Sequence, residues 1–168
     1  MREHQPSHTL PNTPHVFDTL FSILGVDNTQ TILEEPATSQ MPNDDRPWIL
    51  SIDDDEFVSL ALELRLERLG VQVIRAASGS EGFGAANWEA PELILLDYEL
   101  PKDNGEIVLS KLKSTSATKD IPVIVLTGHH DQCLENRMRS LGAADFFTKP
   151  FEWQELWDAM NQHLCIRT

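Results

Sequence analysis

From Trp48 onward two apolar patterns alternate along the chain. Short apolar runs, "WILSI", "ELILL", "IPVIVLT" and "DFFT", read as strands, and "VQVIRA" alternates as an edge strand would. Between them lie segments with helical spacing: "EFVSLALELRLERLG", stopped by Gly70, then "GEIVLSKLKST", "DQCLENRMRSLG" and "EWQELWDAMNQHL". "SGSEGFGAANWEA" reads as a short helix weakened by Gly82 and Gly84. On the last helix Trp153, Leu156, Trp157, Met160 and Leu164 form a core-type stripe. Alternation continues through Phe146 and Phe147, and predicts that one of the pair points inward. Five strands alternating with five helices predict an α/β protein: a parallel sheet, doubly wound, with both faces covered. In such folds the site lies beyond the C-terminal ends of the strands.

Residues 1–47 break this rhythm. Pro6, Pro11, Pro14, Pro36, Pro42 and Pro47 stand among many Ser, Thr, Asn and Gln, the composition of a flexible extension. Within it, residues 14–24 carry a helical pattern. Thr13 can cap, Pro14 suits the first turn, Gly25 can stop the helix, and Val16, Phe17, Leu20, Phe21 and Leu24 share one face. A short helix docked on the domain or on a partner is expected, because an isolated helix of this length is marginal.

The composition narrows the class. The 168 residues, 40% hydrophobic and 24% charged, suit one globular domain with an extension. A net charge of −14 argues against nonspecific nucleic-acid binding, so no direct contact with nucleic acid is expected. Cys133 and Cys165 form no metal or redox motif and read as free thiols. The N-terminus has no signal-type apolar core, and no run reaches the ~18 apolar residues of a membrane span. A cytoplasmic protein without membrane contact is expected.

The chemistry collects where strands end. The first strand runs into Asp53, Asp54 and Asp55; the third ends in Asp97; the fourth ends in Thr127 and Gly128; the fifth leads to Lys149 and Pro150. A parallel sheet brings these groups to one edge. Two carboxylates ~5 Å apart repel by about 3 kcal/mol at an effective dielectric of about 20, or roughly two pKa units. Such a cluster either raises its own pKa values or recruits a cation, and hard oxygen ligands suit Mg²⁺. Asp55 is read apart from the others, as a helix N-cap. A cation beside a lysine and a hydroxyl is equipped for a phosphoryl group, and a carboxylate such as Asp97 can be its nucleophile.

The stretches "ILSIDDDE", "LILLDYELPKDNG", "IPVIVLTGH" and "GAADFFTKPF" occur in the order and spacing of a known family. Residues 48–167 resemble the receiver domain of two-component response regulators, in the manner of the chemotaxis regulators. The resemblance implies a flavodoxin-like fold with strand order 2-1-3-4-5. It implies that Asp97 is the phosphoacceptor. Asp54 would hold Mg²⁺ directly and Asp53 largely through water, with Asp97 and the main-chain carbonyl of Glu99 completing the ligands. It further implies that Thr127 and Lys149 bind the phosphoryl group. Phe146 stands at the switch-aromatic position, and the bond before Pro150 is expected to be cis. Glu99 and His129 stand where variable residues flank the phosphoryl group and tune its hydrolysis.

The implied partners are a sensor histidine kinase or histidine phosphotransfer protein and a downstream protein. The implied state is a monomer or a phosphorylation-dependent dimer. With no output domain in the sequence after the last helix, a stand-alone receiver that is not an enzyme is expected. In the turn after Asp97, "ELPKDNG" departs from the usual "MPxMDG"-like run, and Asn104 is read as suiting a positive-φ turn. Two other readings are open. One is an Asp-nucleophile, metal-dependent phosphatase or phosphotransferase using Glu99 as acid and base. The other is a binding module that has lost phosphorylation.

Overall fold

The computed structural model describes residues 46–101 and 103–164. The expected extension up to residue 45, its helix 14–24 and Cys165 lie outside them. Ten elements alternate: β1 (Trp48–Ile52), α1 (Glu56–Glu67), β2 (Gln72–Ala76), α2 (Gly79–Glu89), β3 (Leu93–Asp97), α3 (Gly105–Ser114), β4 (Val123–Thr127), α4 (Gln132–Ser140), β5 (Asp145–Thr148) and α5 (Trp153–Asn161). The strands form one parallel sheet in the order β2-β1-β3-β4-β5. This is the doubly wound, flavodoxin-like fold expected.

The central strands read as unbroken apolar runs because helices cover both faces. On one face Ile49, Leu93, Leu95, Ile124 and Leu126 pack against α1 and α5. On the other, Leu50, Ile52, Ile94, Leu96, Val123 and Val125 pack against α2, α3 and α4. β2 is an edge strand, and most of its residues are only half-buried. The stripe on α5 faces the core; Trp153, Leu156 and Met160 are buried, as is Leu164 just past the helix, and Trp157 stacks on Trp153 at 6.3 Å.

Two local expectations change. Phe146 is buried and packs with the second face, while half-buried Phe147 packs with the first. Both rings of the pair therefore meet core, because a doubly wound sheet has no free face. Asn104 is not in a positive-φ turn. At φ −86° it is the N-cap of α3, and its side chain accepts a hydrogen bond from Glu106 N at 2.8 Å.

Two glycines permit close approach. A Cβ on Gly82 would lie 2.4 Å from Ile52 Cδ1, so this residue, which weakens α2 as a helix, lets it sit directly on β1. A Cβ on Gly105 would lie 2.6 Å from Tyr98 Cα and 2.9 Å from Asp97 O. That packs the start of α3 against the backbone that carries Asp97.

Candidate functional site

Asp53 follows the last residue of β1, Asp97 ends β3, Thr127 ends β4 and Lys149 follows β5. Parallel pairing puts all four at the same edge, across neighbouring strands. Asp53, Asp97 and Thr127 are buried, and Asp54 is exposed at the mouth. One carboxylate oxygen from each of Asp53, Asp54 and Asp97 lies within 4.8 Å of the others.

Local chemistry orients each group. Asp55 caps α1, accepting from Phe57 N at 2.9 Å and Val58 N at 3.2 Å. The backbone N–H of Asp55 in turn donates to Asp53 Oδ1 at 2.9 Å. Asp53 Oδ2 accepts from Lys149 Nζ at 3.0 Å. The same ammonium is 3.2 Å from Asp97 Oδ1, within ion-pair range but without hydrogen-bond alignment. Asp97 Oδ1 is therefore a buried carboxylate oxygen with no hydrogen bond. Lys149 is held at its own backbone too, since Lys149 N donates to Thr127 O at 2.6 Å; the Lys149–Pro150 bond is cis, as expected.

Burial pushes the Asp97 carboxyl up to about 7; Lys149 opposes this, and Asp53 and Glu99 add to it. Asp53 is also raised, by burial first and against the pull of Lys149. Burial pulls Lys149 down, but Asp53 and Asp97 together outweigh it and hold the ammonium above the ordinary lysine range. The direction agrees with the expectation from repulsion, but the leading cause is desolvation of carboxylates walled in by the sheet edge. One lysine shared between two buried carboxylates leaves net negative charge, with Asp54 adding more. A small divalent cation with oxygen ligands fits this donor set and supplies what Asp97 Oδ1 lacks.

Glu99 and His129 come together. Glu99 Oε2 accepts from Gly128 N at 2.8 Å, and Glu99 Oε1 is 3.3 Å from His129 Nε2. His129 N donates to the Thr127 hydroxyl oxygen at 3.0 Å, and the His129 ring meets Tyr98 edge-on at 6.0 Å. The motif positions set Glu99 and His129 together beside the phosphoryl group, without pairing them to each other. The signal for their pairing was present, because each lies two residues past the end of its strand and β3 and β4 are neighbours in register. With both its oxygens engaged, the Glu99 carboxylate is poorly placed to serve as the acid and base of a phosphatase.

The model of the response regulator receiver domain matches residues 49–161. The chain belongs to the response regulator receiver family. It is thus a receiver domain of the kind found in two-component systems, whose general features include phosphorylation and Mg²⁺ binding. Over 112 residues it is 38% identical to the DNA-binding dual master transcriptional regulator RpaA of Synechocystis, covering 66% of this chain and 46% of that protein. It is 29% identical to sporulation initiation phosphotransferase F of Bacillus subtilis, covering 71% of this chain and 95% of that protein. Among solved structures, a response regulator from Chloroflexus aurantiacus matches with a TM-score of 0.67 and 32% identity, over 73% of this chain and 100% of that one. The chemotaxis protein CheY4 of Vibrio cholerae shares the fold, with a TM-score of 0.66 and 23% identity over 71% of this receiver and 99% of that chain.

These relatives correct one expectation. The acidic composition argued against contact with nucleic acid, yet RpaA is by name DNA-binding, and the similar PhoP and PhoB are transcriptional regulatory proteins. The receiver spans about half the length of these regulators, so its net charge says nothing about nucleic-acid contacts made by such proteins. Among the described residues no helix is long and apolar enough to cross a membrane.

Proposed function

We propose that this receiver takes a phosphoryl group onto Asp97 from the phosphohistidine of a sensor histidine kinase or histidine phosphotransfer protein, with Mg²⁺ held by Asp53, Asp54, Asp97 and the main-chain carbonyl of Glu99. The observation that carries this reading is the buried Asp97 Oδ1, which has no hydrogen bond and lies 3.2 Å from a fixed ammonium. Bound Mg²⁺ would neutralise charge on the phosphoryl oxygens and on the carboxylates around them.

The chain's own residues do the rest. An Asp97 carboxylate oxygen attacks phosphorus as the P–N bond to the donor imidazole breaks, and the released imidazole takes a proton from solvent. Lys149, anchored by Asp53, keeps its charge beside the reacting oxygens. The Thr127 hydroxyl already accepts from His129 N, so its own proton is available to a phosphoryl oxygen. Placing a new dianionic group against Thr127 and Lys149 pulls on β4 and β5. Phe146, between them and α4, carries that change to the α4–β5–α5 surface, where a downstream protein binds. RpaA, PhoP and PhoB point to transcription as a process such a switch serves.

The test is intact-mass spectrometry with Mg²⁺ and acetyl phosphate. The wild type gains one phosphoryl mass, and Asp97→Ala gains none. A wild type that forms no adduct with any phosphodonor, or an adduct that persists in Asp97→Ala, overturns the reading.

A further inference from the structure

We infer that α1 carries a docking surface for this chain's own N-terminal segment, residues 14–24. The inner face of α1 is spent on the core through Val58, Ala61, Leu62 and Leu66. Phe57, Leu60 and Leu64 remain 57, 36 and 37% exposed. Their spacing aligns them along one outer face. Just past the helix, Leu69 is also exposed. Single exposed apolar residues are ordinary, but an aligned set on one helix marks a surface that meets something.

Segment 14–24 has the complementary pattern. Val16, Phe17, Leu20, Phe21 and Leu24 recur at helical spacing, and a helix this short needs a partner to persist. As helices, Val16 to Leu24 spans about 12 Å and Phe57 to Leu64 about 10 Å, so the two faces match in length. The tether also leaves from the right place. Pro47 O accepts from Gln72 N at 2.9 Å, and Val71 N donates to Leu66 O at 3.0 Å, so the chain enters β1 beside the C-terminal foot of α1. As a coil, residues 25–45 span about 25 Å, more than the ~18 Å length of α1. The effective concentration of the tethered segment is then on the order of millimolar, far above that of a second copy in dilute solution.

Hydrogen–deuterium exchange of the full chain, without phosphodonor, tests the docking. The amides of residues 16–24 are expected to exchange about tenfold more slowly in the wild type than in Leu60→Asp/Leu64→Asp. Leu20→Asp/Phe21→Asp should lose the same protection from the other side. Persistent slow exchange in β3 and β4 checks that each variant is folded; a variant failing this check is replaced by Leu60→Ser/Leu64→Ser. Unprotected residues 16–24 in the wild type, or protection that survives the α1 substitutions, would overturn the inference. So would protection that grows with protein concentration, which would assign the stripe to a second copy. The readout involves no phosphoryl transfer, so its failure is distinct from failure of the Asp97 reading.

Discussion

Replacing Asp97 by Asn should stabilise the metal-free fold, although it removes the residue assigned the central chemistry. The Asp97 carboxyl has an ordinary value of 3.8 and is raised to about 7 in the fold, chiefly by burial. The folded state therefore keeps a proton that the unfolded chain has lost. A group with a raised folded pKa contributes most below its unfolded value, and that contribution drains away as pH rises through its folded value. The shift is worth about 4 kcal/mol once both states are ionised, and more than half of it is lost between pH ~5 and ~8. Asn imitates the neutral carboxyl and keeps Lys149 bonded to Asp53. In EDTA at pH ~8, Asp97→Asn should be more stable than the wild type by about 2–4 kcal/mol, since the coupled Asp53 absorbs part of the gain. With an m-value near ~2 kcal/mol/M, the urea midpoint should rise by about 1–2 M, read by far-UV circular dichroism. The gain should shrink by roughly half at pH ~5. Comparing the two proteins at each pH cancels histidines remote from the site. If Asp97→Asn is the less stable protein at pH ~8, or if the difference is flat with pH, the reasoning is refuted.

The remaining predictions address the same edge and its support. Mg²⁺ at 100 times its dissociation constant should stabilise the wild type by about 2.7 kcal/mol. Asp53→Asn should require much more Mg²⁺ for the same rise in Tm, and an unchanged dependence would remove Asp53 from the ligand set. Lys149→Met should destabilise the metal-free fold by about 3–5 kcal/mol at neutral pH by leaving Asp53 and Asp97 uncompensated. Adding Asp97→Asn to that variant should recover part of the loss in urea titrations, whereas strict additivity would show that the pair does not interact. Gly82→Ala should cost about 1–3 kcal/mol through overpacking against Ile52, despite alanine's better helix propensity. A melting temperature at or above wild type would mean that α2 moves off β1 cheaply.

The alternation of patterns from Trp48 onward determined the elements, because burial on both faces of a parallel sheet writes unbroken apolar runs such as "LILL" and "VIVL" into the chain. Strand-end chemistry was legible for the same reason: parallel strands send all their C-terminal ends to one edge. The double role of "DDD", with Asp55 as cap and its neighbours in a site, could also be read from adjacency to a helix. What the one-dimensional string does not carry is distance. Only the packed sheet decides that one ammonium is shared between two buried carboxylates, 3.0 Å from Asp53 and 3.2 Å from Asp97, and that burial outweighs it at both. Only closure of both faces decides that Phe146 and Phe147 both meet core. Gly82 shows the conflict most plainly. By local propensity it weakens a helix, and in the fold its missing side chain makes room for Ile52. Propensity is a property of neighbours in sequence, whereas desolvation, shared partners and excluded volume belong to neighbours in space.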